Sequence, residues 1–134
     1  MAVYEECETE IGFITLVCRN LQTSAKFYQH AFGLEVKSQN EGMLLFKGGL
    51  SFAIISQKFA DENLPLLKGL HSYRNGQSSL LSLHCKKEKI LQQIIEKVEN
   101  YAGKIVKQKH ITAWGQTAAF VKDPDGYIWE IVLR

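Results

Sequence analysis

One carboxylate, Glu130, stands inside the apolar run YIWEIVL (127–133), directly after Trp129 and before Ile131. Side chains alternate along a strand, so Ile128, Glu130 and Val132 share one face, while Tyr127, Trp129, Ile131 and Leu133 share the other. A carboxylate on such a face has three chemical uses. It can act as a general acid or base, accept a charge-assisted hydrogen bond from a ligand, or hold a metal ion. Each use needs a second group within reach. The same alternation puts Leu80, Ser82 and His84 together in SLLSLHC (79–85), and Phe13, Thr15 and Val17 together in IGFITLVC (11–18). His110 and Trp114 follow in KHITAWGQT. The plainer alternative is that Glu130 is tied to Thr15, Ser82 or His84 and serves local structure alone, and that His84 is a hydrogen-bonded core residue.

A second group of polar residues lies in LHSYRNG (70–76), where His71, Tyr73, Arg74 and Asn75 could form a lid. The guanidinium of Arg74 suits a ligand carboxylate or phosphate. Three cysteines, Cys7, Cys18 and Cys85, are odd in number and show no CxxC spacing. Cys18 and Cys85 sit in apolar strand-like runs, which reads as buried, reduced thiols and points to the cytoplasm. The acidic start MAVYEECETE has no apolar core of a secretory leader, and no apolar run reaches the length of a membrane span.

The bulk numbers narrow the field further. With 134 residues, 46% hydrophobic and 22% charged, the chain suits one soluble domain. Its net charge of +2 is small, and KKEK (86–89) reads as a solvated helix start. The basic residues neither cluster on one face nor interleave with aromatics, so neither nucleic acid nor a membrane surface is expected as a partner.

What positions these residues is a unit written twice. The first copy opens with the strand IGFITLVC and continues through RNLQTSAKFYQHAFGL, where Leu21, Ala25, Tyr28 and Phe32 recur at helical spacing. Thr23 or Ser24 is the expected cap, and Gly33 the left-handed stop. The strands LEVKS, MLLFK and LSFAIIS follow. The second copy opens with SLLSLHC, and its helix, KEKILQQIIEKVENYA, aligns Ile90, Leu91, Ile94, Ile95, Val98 and Tyr101 in one stripe, with Gly103 as the expected stop. Strands KIVKQK, TAAFVK and YIWEIVL complete it, the last two joined by a type I turn at Asp123-Pro124-Asp125-Gly126. The fold class is therefore α+β, built of tandem βαβββ modules. The expected organisation is an N-terminal extension (1–10), module 1 (11–56), a linker (57–78) with a short helix near ADENLPLLKG, and module 2 (79–134).

This pattern, with ITLVCRNLQTSAKFYQHAFGLEV at the start and WGQTAAFVKDPDGYIWEIV at the end, resembles the vicinal oxygen chelate superfamily. That superfamily contains the glyoxalase, bleomycin-resistance and extradiol-dioxygenase proteins. The resemblance spans about Ile11 to Leu133 and implies cup-shaped mixed sheets around a cavity, commonly completed by a homodimer. In metal-dependent members it implies a divalent ion held by the first and last strands of each half. Glu130 matches the last of those positions. The others fall on Phe13, on Ala53 or Ile55, and on Leu80 or Ser79, so one ligand of four is present. A bound metal is therefore not favoured; if one is present, Glu130 and His84, with His110 nearby, are its expected ligands. No other cofactor is implied.

The expected activity is binding of a small organic molecule in an apolar cup. The expected ligand-binding residues are Phe13, Thr15, Phe46, Phe52, Arg74, Ser82, His84, Trp114 and Glu130, with Glu130 as the candidate acid or base. The alternatives are a metal-dependent lyase, isomerase or dioxygenase using Glu130 with a non-standard histidine, and a ligand-free assembly protein.

Overall fold

The computed structural model describes residues 10–64 and 79–134. The first module runs β1 (Phe13–Cys18), α1 (Leu21–Lys26), β2 (Val36–Asn40), β3 (Met43–Phe46) and β4 (Ser51–Ser56). A helix α2 (Gln57–Asn63) follows directly, earlier in the linker than the sequence places it. The second module runs β5 (Leu81–Cys85), α3 (Glu88–Val98), β6 (Lys104–Ile111), β7 (Thr117–Lys122) and β8 (Ile128–Leu133). Each module forms a four-stranded mixed sheet with the same order, β1-β4-β3-β2 and β5-β8-β7-β6. In both, the first strand pairs in parallel with the last and the remaining pairs are antiparallel.

The cap of α1 is Asn20, whose side chain accepts from the Thr23 N–H, rather than Thr23 or Ser24. Ser24 is one turn too far in, and its hydroxyl is used across the module boundary instead. Helix α1 widens into a π-helical turn over Phe27–Ala31, closed by Phe32 N–H donating to Phe27 C=O at 3.2 Å. The wider turn delivers Phe27 and Tyr28 together into the core, where both are fully buried. Gly33 then takes the left-handed conformation with φ 74°, as its position requires.

Helix α3 buries Leu91, Ile94, Ile95 and Val98, but Ile90 is exposed. One residue turns the helix by about 100°, which carries Ile90 off the stripe. The left-handed residue beyond this helix is Ala102, with φ 71°, and not Gly103. Gly103 is needed for a different reason. A Cβ there would lie 2.4 Å from Phe27 Cε1 and 2.7 Å from the Lys122 carbonyl oxygen. Left-handed alanine costs about 1 kcal/mol more than glycine. Ala102→Gly should therefore raise the thermal midpoint by about 3–5 °C in a calorimetric scan; an unchanged or lower midpoint would contradict this assignment.

The core lies where the two sheets and the helices meet. Tyr28 makes ring contacts with Phe27, Phe32, Phe46, Phe52 and Trp129, linking both modules. The 123–126 turn docks onto the opposite module. Arg19 N–H donates to Asp125 Oδ1 at 2.9 Å, Ser24 Oγ to Asp125 Oδ2 at 3.1 Å, and Tyr127 hydroxyl to the Val17 carbonyl at 3.1 Å. Gly126 N–H closes the turn on the Asp123 carbonyl at 3.0 Å, and Gly126 itself has φ 92°. The predicted turn is thus also the clasp that fixes β8 against β1.

The outer edges, β2 and β6, carry exposed Lys37, Lys104, Lys107 and Lys109, which oppose edge-to-edge pairing. The inner edges differ. Phe13 of β1 is 61% exposed and Leu80, just before β5, is 53% exposed.

Candidate functional site

Strand register assembles the site around Glu130. Glu130 is flanked by Ser82 on β5 and by Phe120 on β7. One pair along, Val132 is flanked by His84 and Ala118, and Ala118 is opposed by His110 on β6. The opposite face carries Trp129 and Ile131, both within the core. The alternation expected for the last strand therefore holds, and Glu130 points away from the core.

Glu130 is nevertheless buried, at 8% exposure. Its Oε1 accepts from the Ser82 hydroxyl at 3.1 Å, which selects Ser82 among the three neighbours considered. Among the described residues, its Oε2 is buried with no hydrogen-bond partner. A buried carboxylate oxygen without a donor is costly, and native structures carry few such atoms.

Phe120 escaped the sequence reading although the signal was present. Counting back from the hairpin pair Lys122 and Ile128 places it opposite Glu130. His110 stacks on Phe120, with ring centroids 5.7 Å apart, while its Nδ1 lies 2.9 Å from the Gln108 carbonyl. His84 is exposed on the same face as Glu130, diagonal to it across the strand pair.

Other expected residues fall elsewhere. Phe46 and Phe52 are buried on the core side of the first sheet, against Tyr28, and so do not line the Glu130 face. Their partners explain this: β3 and β4 pair with Phe46 opposite Phe52, in phase with core-facing Ile54. Phe13 and Thr15 lie on the outward face of the first sheet and are exposed, whereas Val17 is covered by the cluster of Ile55, Ala60, Met43 and Phe59. Trp114 is 62% exposed in the turn between β6 and β7, its Nε1 donating to Gln116 Oε1 at 3.0 Å. That turn lies beyond Ala118, away from Glu130. Arg74, with His71, Tyr73 and Asn75, lies outside the described residues, as does Cys7.

The remaining thiols offer no nucleophile. Burial pushes Cys18 up to about 12, and burial also raises Cys85. The strongest polar cluster serves the clasp. Asp123 Oδ1 accepts from the N–H groups of Asp125 and Tyr127 at 2.9 and 2.8 Å, and Oδ2 accepts from Tyr28, whose hydroxyl also accepts from Trp129 Nε1.

The implied metal can be tested against these side chains. A catalytic zinc-type site needs about three protein donors. Ala53 and Ile55 do lie on the outward face, opposite Thr15 and Val17, but they offer only carbon, as do Phe13 and Leu80. Among the described residues, no three of His, Cys, Asp or Glu come together. Among the described residues, the one side chain bonded to Glu130 is the neutral hydroxyl of Ser82, with His84 diagonal to it. These described residues do not fit the ion.

Comparison with known proteins agrees with the architecture. The family model for the glyoxalase-like domain matches residues 11–133, and the chain belongs to that family. Among solved structures, a glyoxalase-related enzyme from Fulvimarina pelagi superposes with a TM-score of 0.75 at 22% identity, covering 93% of this chain and 88% of that one. A glyoxalase/bleomycin resistance protein/dioxygenase family enzyme from Burkholderia phytofirmans gives 0.79 at 13% identity, covering 93% and 98%. A lactoylglutathione lyase from Agrobacterium tumefaciens gives 0.65 at 18% identity, covering 93% of each chain. Comparison with curated proteins gives no match. At these identities the structural likeness establishes the fold alone. No helix among the described residues is long and apolar enough to cross a membrane.

Proposed function

We propose that this protein binds a small organic molecule on the outward face of its second sheet, without a metal, and that Glu130 Oε2 receives a hydroxyl or ammonium donor of that ligand. The observation that carries this reading is the buried Oε2, unpartnered among the described residues, beside an apolar surface. Phe120 and Ile128 supply the apolar contact, Ser82 holds the carboxylate in place, and His84 and His110 border the face. The mixture of apolar area and a few convergent polar groups is that of small-molecule sites. Catalysis by Glu130 would need a second titratable group bonded to it or to the ligand, and Ser82 is a neutral hydroxyl. The reading therefore stops at binding.

A second copy of the chain completes the site in this proposal, and the cytoplasm is its place of action. Supporting the pairing, Phe13 and Leu80, at the starts of the inner edge strands, are 61% and 53% exposed.

The test is a thermal-shift screen of small amines, alcohols and aromatic metabolites against the wild-type chain and Glu130→Gln. At about 100 times its Kd a ligand adds about 2.7 kcal/mol, a shift of several degrees. The reading expects stabilisers that lose most of their effect in Glu130→Gln. Stabilisers acting equally on both proteins, or none in a broad library, would count against it.

A further inference from the structure

A cavity of about 640 Å³ lies between the modules, and its lining does not include Glu130. Its floor is aromatic: Phe52 and Trp129 meet edge to face with centroids 5.4 Å apart. Leu34 and Leu83 form walls from the two modules, and Lys47 and Gly49 stand on the loop entering β4. Strand β5 supplies one side, and it is an edge strand. The Cys85 carbonyl accepts from Arg134 N–H at 2.7 Å, on the β8 side. Backbone groups alternate sides along a strand, so the N–H and C=O of Ser82 and His84 face the open edge.

We propose that this crevice is a second binding site, for an organic anion with a flat aromatic body and a carboxylate or sulfonate head. The volume falls within the range of small-molecule pockets. The aromatic floor and leucine walls take the body. Lys47 takes the head. Its ammonium now pairs with Glu35 at 3.0 Å, with both side chains largely exposed. An exposed pair of this kind is weak, so an incoming anion can displace Glu35. The crevice shares Ser82 and His84 with the Glu130 face but not the carboxylate, so Glu130→Gln separates the two readings.

The probe is 8-anilinonaphthalene-1-sulfonate, with neutral N-phenyl-1-naphthylamine as its uncharged counterpart. The chain has two tryptophans, so Trp114→Phe leaves Trp129 as the sole tryptophan donor, excited at wavelengths tyrosine does not absorb. The expected result is saturable binding with energy transfer from Trp129. Lys47→Met should weaken the sulfonate by about fivefold or more, leave the neutral probe unchanged, and unfold nothing, because Lys47 is exposed. Gly49→Phe, where a Cβ meets no atom within 4 Å, should block both probes. Glu130→Gln should alter neither. Equal sulfonate affinity in Lys47→Met, binding retained in Gly49→Phe, absence of transfer, or loss of binding in Glu130→Gln would each overturn the assignment.

Discussion

An Asp123→Ala variant is expected to lose about 4 kcal/mol of folding stability, measured by urea unfolding at neutral pH. The reasoning starts from position. Asp123 is 4% exposed and its two oxygens accept from Asp125 N–H, Tyr127 N–H and the Tyr28 hydroxyl. Alanine removes all three hydrogen bonds at once. It also strands the hydroxyl of Tyr28, a fully buried side chain at the junction of the modules. A buried donor left without a partner costs about 1–3 kcal/mol by itself. The turn is also the clasp between β8 and β1, so its loss reaches the site.

The same carboxyl makes stability depend on pH, with a definite sign. Burial pushes Asp123 from 3.8 up to about 6, against the opposing hydrogen bonds from Tyr28 and the backbone. The folded state thus holds the proton more tightly than the unfolded state. Its contribution is fully present below about pH 4 and is lost as pH rises through about 6, amounting to about 3 kcal/mol over that window. Tyr28 stays a neutral donor throughout, because burial and the adjacent Asp123 charge hold its hydroxyl well above the usual range. Asp123→Asn removes the titration while keeping an acceptor for the two N–H groups. The stability difference between wild type and this variant should shrink from pH 4 to pH 7. A difference independent of pH, or one growing with pH, would contradict the account.

Glu130→Met is expected to do the opposite of a usual core substitution and stabilise the chain by about 1–2 kcal/mol. Among the described residues, the wild-type side chain buries one oxygen with a single hydrogen bond from Ser82 and another with none. Methionine fills similar volume without a polar atom to satisfy, and exposed Ser82 returns to water. If Glu130 served structure alone, its removal would destabilise instead. Stability gained together with loss of every Glu130-dependent ligand effect is the signature of a residue retained for binding.

The duplicated architecture was legible because each module repeats its own periodicities. Strand parity correctly separated Glu130 from Trp129, and the 123–126 turn was written in its residue types. What the chain concealed depended on partners distant in sequence. Phe46 and Phe52 look like Phe13 as isolated aromatics, and only the pairing of β3 with β4, in phase with Ile54, turns them toward Tyr28. Gly103 resembles a helix stop, yet the space it leaves is taken by Phe27 of the other module. Ser82 was one of three candidates to meet Glu130 until register chose it. The role of Asp123 beyond its turn was invisible for the same reason: Tyr28 lies 95 residues away.

Glu130, with too few donors around it among the described residues to hold a transition metal, is tested most directly by metal titration. Nickel, zinc and manganese can each be titrated calorimetrically into wild-type protein and Glu130→Ala. The account predicts weak heats that are the same for both proteins. Tight binding of one ion per chain that disappears in Glu130→Ala would contradict it.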